Sequence, residues 1–129
     1  MDRKRVLIIE DIPENRVLLR AILGSELYEF QEAETGEIAL KIIGEQTFDL
    51  ILADIGLPHI NGVEVTWQIR NQGIKTPIII ISAYLSKWEN EDIFDCGANG
   101  IVAKPIEKDE LLKAIQRVFE KNASSSEVS

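Results

Sequence analysis

One cysteine, one histidine and one methionine occur in 129 residues, and aromatic side chains make up only 6%. A lone thiol, Cys96, forms no internal disulfide and no thiolate zinc site. No apolar run approaches the ~18 residues that a membrane-spanning helix needs. The start, MDRKRVLIIEDIP, sets charge before a short apolar run as a signal peptide does. Glu10 and Asp11 break that run, and no small-residue cleavage site follows, so the cytoplasm is the expected compartment. Basic residues are in the minority, 14 Lys plus Arg against 22 Asp plus Glu, for a net charge of −8. That sign argues against nucleic acid or an anionic membrane surface as the main partner.

What remains is an ordinary globular balance, 45% hydrophobic and 28% charged. The length suits one domain, which buries roughly two-thirds of its unfolded surface without metal or disulfide staples. Five short apolar runs alternate with longer amphipathic stretches. Val6 to Ile9 is apolar on consecutive positions, as in a strand covered on both faces. After Pro13, Val17, Leu18, Ala21 and Ile22 recur at helical spacing, and Gly24 lies near the end of the pattern. Tyr28 to Ala33 reads as a second, more polar strand nearer an edge. Thr35 then caps a helix expected to bury Ile38, Ala39, Ile42 and Ile43.

Asp49 to Ala53 is a third, central strand, and the Gly56–Gly62 loop feeds a helix carrying Val63, Val65, Trp67 and Ile69. Pro77 to Ile81 is the fourth strand, with proline at the tolerated first position. Ser86 and Glu89 have capping-box spacing and start a helix that should stop near Gly97. Ile101 to Ala103 is a short fifth strand. Leu111, Leu112, Ile115, Val118 and Phe119 stripe a last helix, and Asn122 to Ser129 reads as a frayed polar tail. Five βα units imply one α/β, doubly wound domain: a parallel sheet with helices on both faces.

Ligands of open α/β sheets bind at the carboxyl ends of the strands. The first strand ends in Glu10 and Asp11, the third in Asp54, the fourth in Ser82, the fifth in Lys104 and Pro105. Three carboxylates, a hydroxyl and an amine therefore converge on one crevice. Crowded carboxylates repel, and a hard divalent cation such as Mg²⁺ is the natural remedy. Lys104 and Ser82 would hold an anionic group on its far side. Asp54 is the natural nucleophile of such a set, because a carboxylate can form an aspartyl phosphate.

Four segments in order, VLIIEDIPENRVLLR, FDLILADIGLPHING, PIIIISAY and GANGIVAKP, resemble the receiver domain of two-component response regulators, similar to the chemotaxis type. The resemblance covers about residues 4–121, which makes 1–121 the domain and 122–129 a tail. It implies the flavodoxin-like strand order 2-1-3-4-5. It also implies that Asp54 accepts a phosphoryl group from a phosphohistidine on a histidine kinase or phosphotransfer protein. Asp11, Asp54 and the Gly56 carbonyl would hold Mg²⁺, with Glu10 acting directly or through a water and Mn²⁺ an alternative. Lys104 would pair with the phosphoryl group and Ser82 would move inward to meet it. The Lys104–Pro105 bond would be cis.

Such a domain catalyses its own phosphorylation and hydrolysis and is a switch, not a metabolic enzyme. Where the family usually has a switching aromatic, this chain has Ile101, so coupling is expected through the loop from Ala83 to Ser86. The downstream protein target would sit on the face of the fourth helix, fifth strand and fifth helix, where Trp88 falls. Gly56 and Tyr84 rim the site at positions that tune phosphoryl lifetime. His59 is expected in solvent, Cys96 at the core or its boundary, and Trp67 in the core or on a partner.

Rival readings share parts of this pattern. An FMN binder of the same fold class needs a Gly/Ser/Thr-rich phosphate loop after the first strand, where Glu10 to Glu14 is acidic. A dehalogenase-type phosphatase places its aspartyl nucleophile after the first strand, not the third. A receiver-shaped interaction module that works without phosphorylation is the third rival. No output domain is legible after residue 121, so output is expected through another protein.

Overall fold

The apolar runs become the five strands of one sheet in a computed structural model that describes residues 3–83, 93 and 95–128. In chain order the elements are β1 (Lys4–Ile9), α1 (Pro13–Leu23), β2 (Tyr28–Ala33), α2 (Gly36–Glu45), β3 (Leu50–Asp54), α3 (Gly62–Asn71), β4 (Ile78–Ser82), β5 (Gly100–Ala103) and α4 (Lys108–Val128). The strands lie in the order β2-β1-β3-β4-β5, all parallel, as expected. The helix expected from Ser86 lies outside the described residues except at Ile93, Asp95 and Cys96, and so do Tyr84 and Trp88.

Strand alternation sorts the core into two layers. Leu7, Ile9, Ile51, Ala53, Ile78 and Ile80 pack with Ala39 and Ile43 of α2, Val65 and Ile69 of α3, and Ile93 and Cys96. Val6, Ile8, Leu50, Leu52, Ile79, Ile81 and Val102 pack with Leu19 and Leu23 of α1 and Leu111, Ala114, Ile115 and Val118 of α4. Every residue of β3 and β4 is buried, the reason these segments read as unbroken apolar runs.

Caps fall where the sequence placed them: the Thr35 hydroxyl accepts from the Ile38 amide at 3.1 Å, and Pro13 occupies the first turn of α1. Asn61 caps α3, its side-chain oxygen accepting from Glu64 N–H at 2.9 Å. Gly97, with φ 105°, ends the helical turn at Asp95 in the left-handed region that favours glycine.

The structure decides the helix faces, and it corrects the expectation that Ile38 is buried. On α1 the stripe Val17, Leu18, Ala21 marks the helix but faces solvent; Leu19 and Leu23 are the buried pair. Ile38 of α2 is 45% exposed, because Ala39 and Ile43 turn to the core while Gly36 lies against Val65 of α3 and Ile60. Trp67 is likewise on the outside of α3, leaving Val65 and Ile69 to the core. The last helix continues past Asn122 to Val128, and no glycine or proline in that stretch breaks it.

Candidate functional site

β1, β3, β4 and β5 end at one edge of the sheet, and parallel register carries their polar residues there together. Ile9 pairs with Ala53, Asp54 with Ile81, and Ser82 with Ala103. Alternation places Glu10, Asp54 and Lys104 on the α1–α4 side of the sheet and Ser82 on the other. Glu10, Asp54, Lys104, Asn15 and Ile106 line a small cleft on that first side.

Glu10, Asp11 and Asp54 each bring a carboxylate oxygen within 4.8 Å of the others. The Lys104 ammonium lies 3.1 Å from Asp54 Oδ1 and 3.9 Å from Glu10 Oε1. Glu10 is buried; Asn15 Nδ2 donates to its Oε1, while Oε2 has no partner among the described residues. Burial first, and the adjoining Asp54 carboxylate second, push the Glu10 carboxyl up to about 7. A buried orphan oxygen inside a set of hard oxygen donors is what a divalent cation would complete.

The remaining expected residues take defined places. Ser82 is fully buried at the end of β4, and its carbonyl accepts from Lys104 N–H at 2.8 Å. Gly56 is exposed, with space for a β-carbon 3.9 Å from Asp54 Oδ2. Ala83 and Pro105 are exposed, and the Lys104–Pro105 bond is cis. Ile101 is half-buried against the α2–α3 layer. His59 sits in solvent with φ 66°, and Cys96 is buried, donating to the Ile93 carbonyl.

Gly62 holds the loop after Asp54 closed. Its N–H donates to the Ile55 carbonyl at 3.0 Å, and a β-carbon there would lie 2.5 Å from the Asp54 carbonyl oxygen. Two polar residues of α1, Asn15 and Arg16, were missed in the sequence. Arg16 Nη1 donates to the Glu10 carbonyl at 2.8 Å. The pair precedes Leu19 by four and three positions, so choosing Leu19 and Leu23 as the buried line would have exposed both.

The sequence profile of the response regulator receiver domain matches residues 6–116. The chain belongs to that family. Receivers are signalling domains of two-component systems, found in response regulators and in histidine kinases. This receiver is 34% identical over 112 residues to the transcriptional regulatory protein DltR of Streptococcus agalactiae, covering 87% of this chain and 50% of DltR. It thus spans about half the length of that relative. Chemotaxis response regulator CheY4 of Vibrio cholerae superposes with a TM-score of 0.84 at 29% identity, over 91% of this chain and 99% of that one. The receiver domain of sensor histidine kinase PA1611 from Pseudomonas aeruginosa, 31% identical, superposes with a TM-score of 0.80 over 90% of this chain and 97% of its own. That domain has a magnesium ion coordinated in its active site cleft. No helix among the described residues of the present receiver is long and apolar enough to cross a membrane.

Proposed function

We propose that this receiver takes a phosphoryl group onto Asp54 from a phosphohistidine on a histidine kinase or phosphotransfer protein, and that the change alters its binding to a target protein. The observation that carries the reading is the 3.1 Å approach of Lys104 to Asp54 inside a carboxylate cluster at the open edge of the sheet. An Asp54 carboxylate oxygen attacks phosphorus, the P–N bond breaks, and the leaving imidazole nitrogen keeps the electron pair and takes up a proton. Water later cleaves the acyl phosphate and restores the carboxylate.

Glu10, Asp11, Asp54 and the Gly56 carbonyl would hold Mg²⁺, or Mn²⁺ in its place. Its chemistry is to neutralise charge on the phosphoryl oxygens in a loose, in-line transition state. Lys104 supplies a second positive charge from the protein, and the Ser82 hydroxyl donates to a phosphoryl oxygen. Exposed Ile12, Val17 and Leu18, on and beside α1, offer an apolar rim to the phosphohistidine partner. The target surface is the face of β5, α4 and the helix expected from Ser86. A groove of about 310 Å³ there is lined by Ile101, Ala103, Glu110, Lys113 and Arg117 among others.

The test is to incubate the protein with Mg²⁺ and acetyl phosphate and weigh it intact beside Asp54→Asn. A gain of one phosphoryl group that needs Mg²⁺ and vanishes in the variant is the expected result. No gain in the folded protein would favour an interaction module that works without phosphorylation, the reading to which Ile101 at the usual aromatic position lends weight.

A further inference from the structure

Arg16 is a cation beside the site whose charge is met away from Asp54. Its side chain is only 13% exposed, and Nε donates to Glu32 Oε1 at 2.9 Å. Arg20 binds the other oxygen of Glu32, so that carboxylate of β2 is gripped by two turns of α1. With its charge met there, Arg16 turns Nη1 to the Glu10 carbonyl at 2.8 Å. The Glu10 N–H donates to the Ala33 carbonyl at 3.0 Å, and Asn15 holds Glu10 Oε1. The backbone and one side-chain oxygen of Glu10 are thereby fixed, and the orphan Oε2 is left.

The peptide bond is planar, so holding the Glu10 oxygen fixes the plane that contains the α-carbons of both Glu10 and Asp11. One hydrogen bond therefore restrains the points from which two of the three clustered carboxylates start. We infer that Arg16, anchored by Glu32, is a positioning residue that sets the Glu10–Asp11 peptide so that both carboxylates reach one cation with Asp54. The inference rests on the receiver reading above. Groups that orient metal ligands without touching the metal commonly govern affinity by 10–100-fold.

The test is calorimetric titration of Mg²⁺ into the wild type, Arg16→Met, Arg16→Lys and Glu32→Gln, with thermal unfolding of each alongside. Arg16→Met should bind Mg²⁺ about ten-fold more weakly. Raising Mg²⁺ should then restore phosphoryl uptake from acetyl phosphate. Arg16→Lys should recover part of the affinity, and Glu32→Gln should lose some of it. Unchanged affinity in folded Arg16→Met, or a loss of uptake that Mg²⁺ does not restore, would overturn the inference while leaving the receiver reading intact. If Arg16→Met does not fold, Glu32→Gln decides: weaker binding supports the role, and unchanged binding removes it. A wild type that neither binds Mg²⁺ nor takes up phosphoryl would overturn both.

Discussion

The Lys104 ammonium stands 3.1 Å from Asp54 but 3.9 Å from Glu10, so its charge is spent first on the residue read as the phosphoacceptor. Asp54 thereby has a preorganised cation beside it before any anion arrives, and no reorganisation is needed when charge builds up there.

Lys104→Met should therefore slow phosphoryl uptake at Asp54 by about 100-fold, the usual cost of removing one preorganised electrostatic group. Initial rates from acetyl phosphate at saturating Mg²⁺, followed by intact mass, measure it. A rate within three-fold of wild type would remove Lys104 from the chemistry.

Glu10 makes the metal-free protein sensitive to pH. Its carboxyl is raised from 4.5 to about 7, so between these values the unfolded chain has lost the proton while the folded chain keeps it. Stability from this group is full below about 4.5 and declines as pH rises to about 7, by up to about 3 kcal/mol. Urea unfolding at pH 5 and pH 8 without Mg²⁺ should show this decline in the wild type and a smaller one in Glu10→Gln. Parallel curves for the two proteins would refute it.

Added Mg²⁺ should raise the melting temperature more at pH 8 than at pH 5, because a protonated Glu10 competes with the cation. Equal shifts at both pH values would mean that Glu10 is not among the ligands.

Gly62→Ala should cost about 1–3 kcal/mol, since its β-carbon would press on the Asp54 carbonyl and the Ile55 α-carbon, which are backbone and cannot swing away. The midpoint of denaturant unfolding reads the cost, and an unchanged midpoint would show that α3 can shift without penalty.

Among the described residues, Arg70 joins α3 to two later segments through neutral acceptors alone. Its guanidinium donates to the carbonyls of Gly97, Ile74 and Thr76 and to Asn99 Oδ1, at 2.8 to 3.0 Å. Burial lowers its pKa from the ordinary guanidinium value. Arg70→Met should destabilise by about 3 kcal/mol, by orphaning several acceptors at once. Arg70→Lys should rescue little of this, because a point charge lacks the planar fork. Full rescue by lysine would mean that charge, not geometry, is what matters there.

The fold was legible because β1, β3, β4 and β5 are runs of three or four apolar residues bounded by polar residues, glycine or proline. The site was legible for a related reason: Glu10, Asp54, Ser82 and Lys104 each follow such a run directly, and parallel register brings run ends together. Helix faces were harder to read. Val17, Leu18 and Ala21 are as apolar as Leu19 and Leu23, so periodicity alone does not say which line meets the sheet. The same ambiguity hid Arg16 and Asn15, whose roles depend on which side of α1 is inward. Arg70 carries little sequence signal, since three of its four acceptors are backbone carbonyls that any residue supplies.

Ser82 lies across the sheet from Glu10, Asp54 and Lys104, so the crevice straddles the rim instead of opening into one layer. A change of charge at Asp54 is thus felt by side chains rooted in both layers. A donor on the α1 rim proposed above would sit toward the β2 end of the strand order, and would leave the β5 edge at the other end free for a listener.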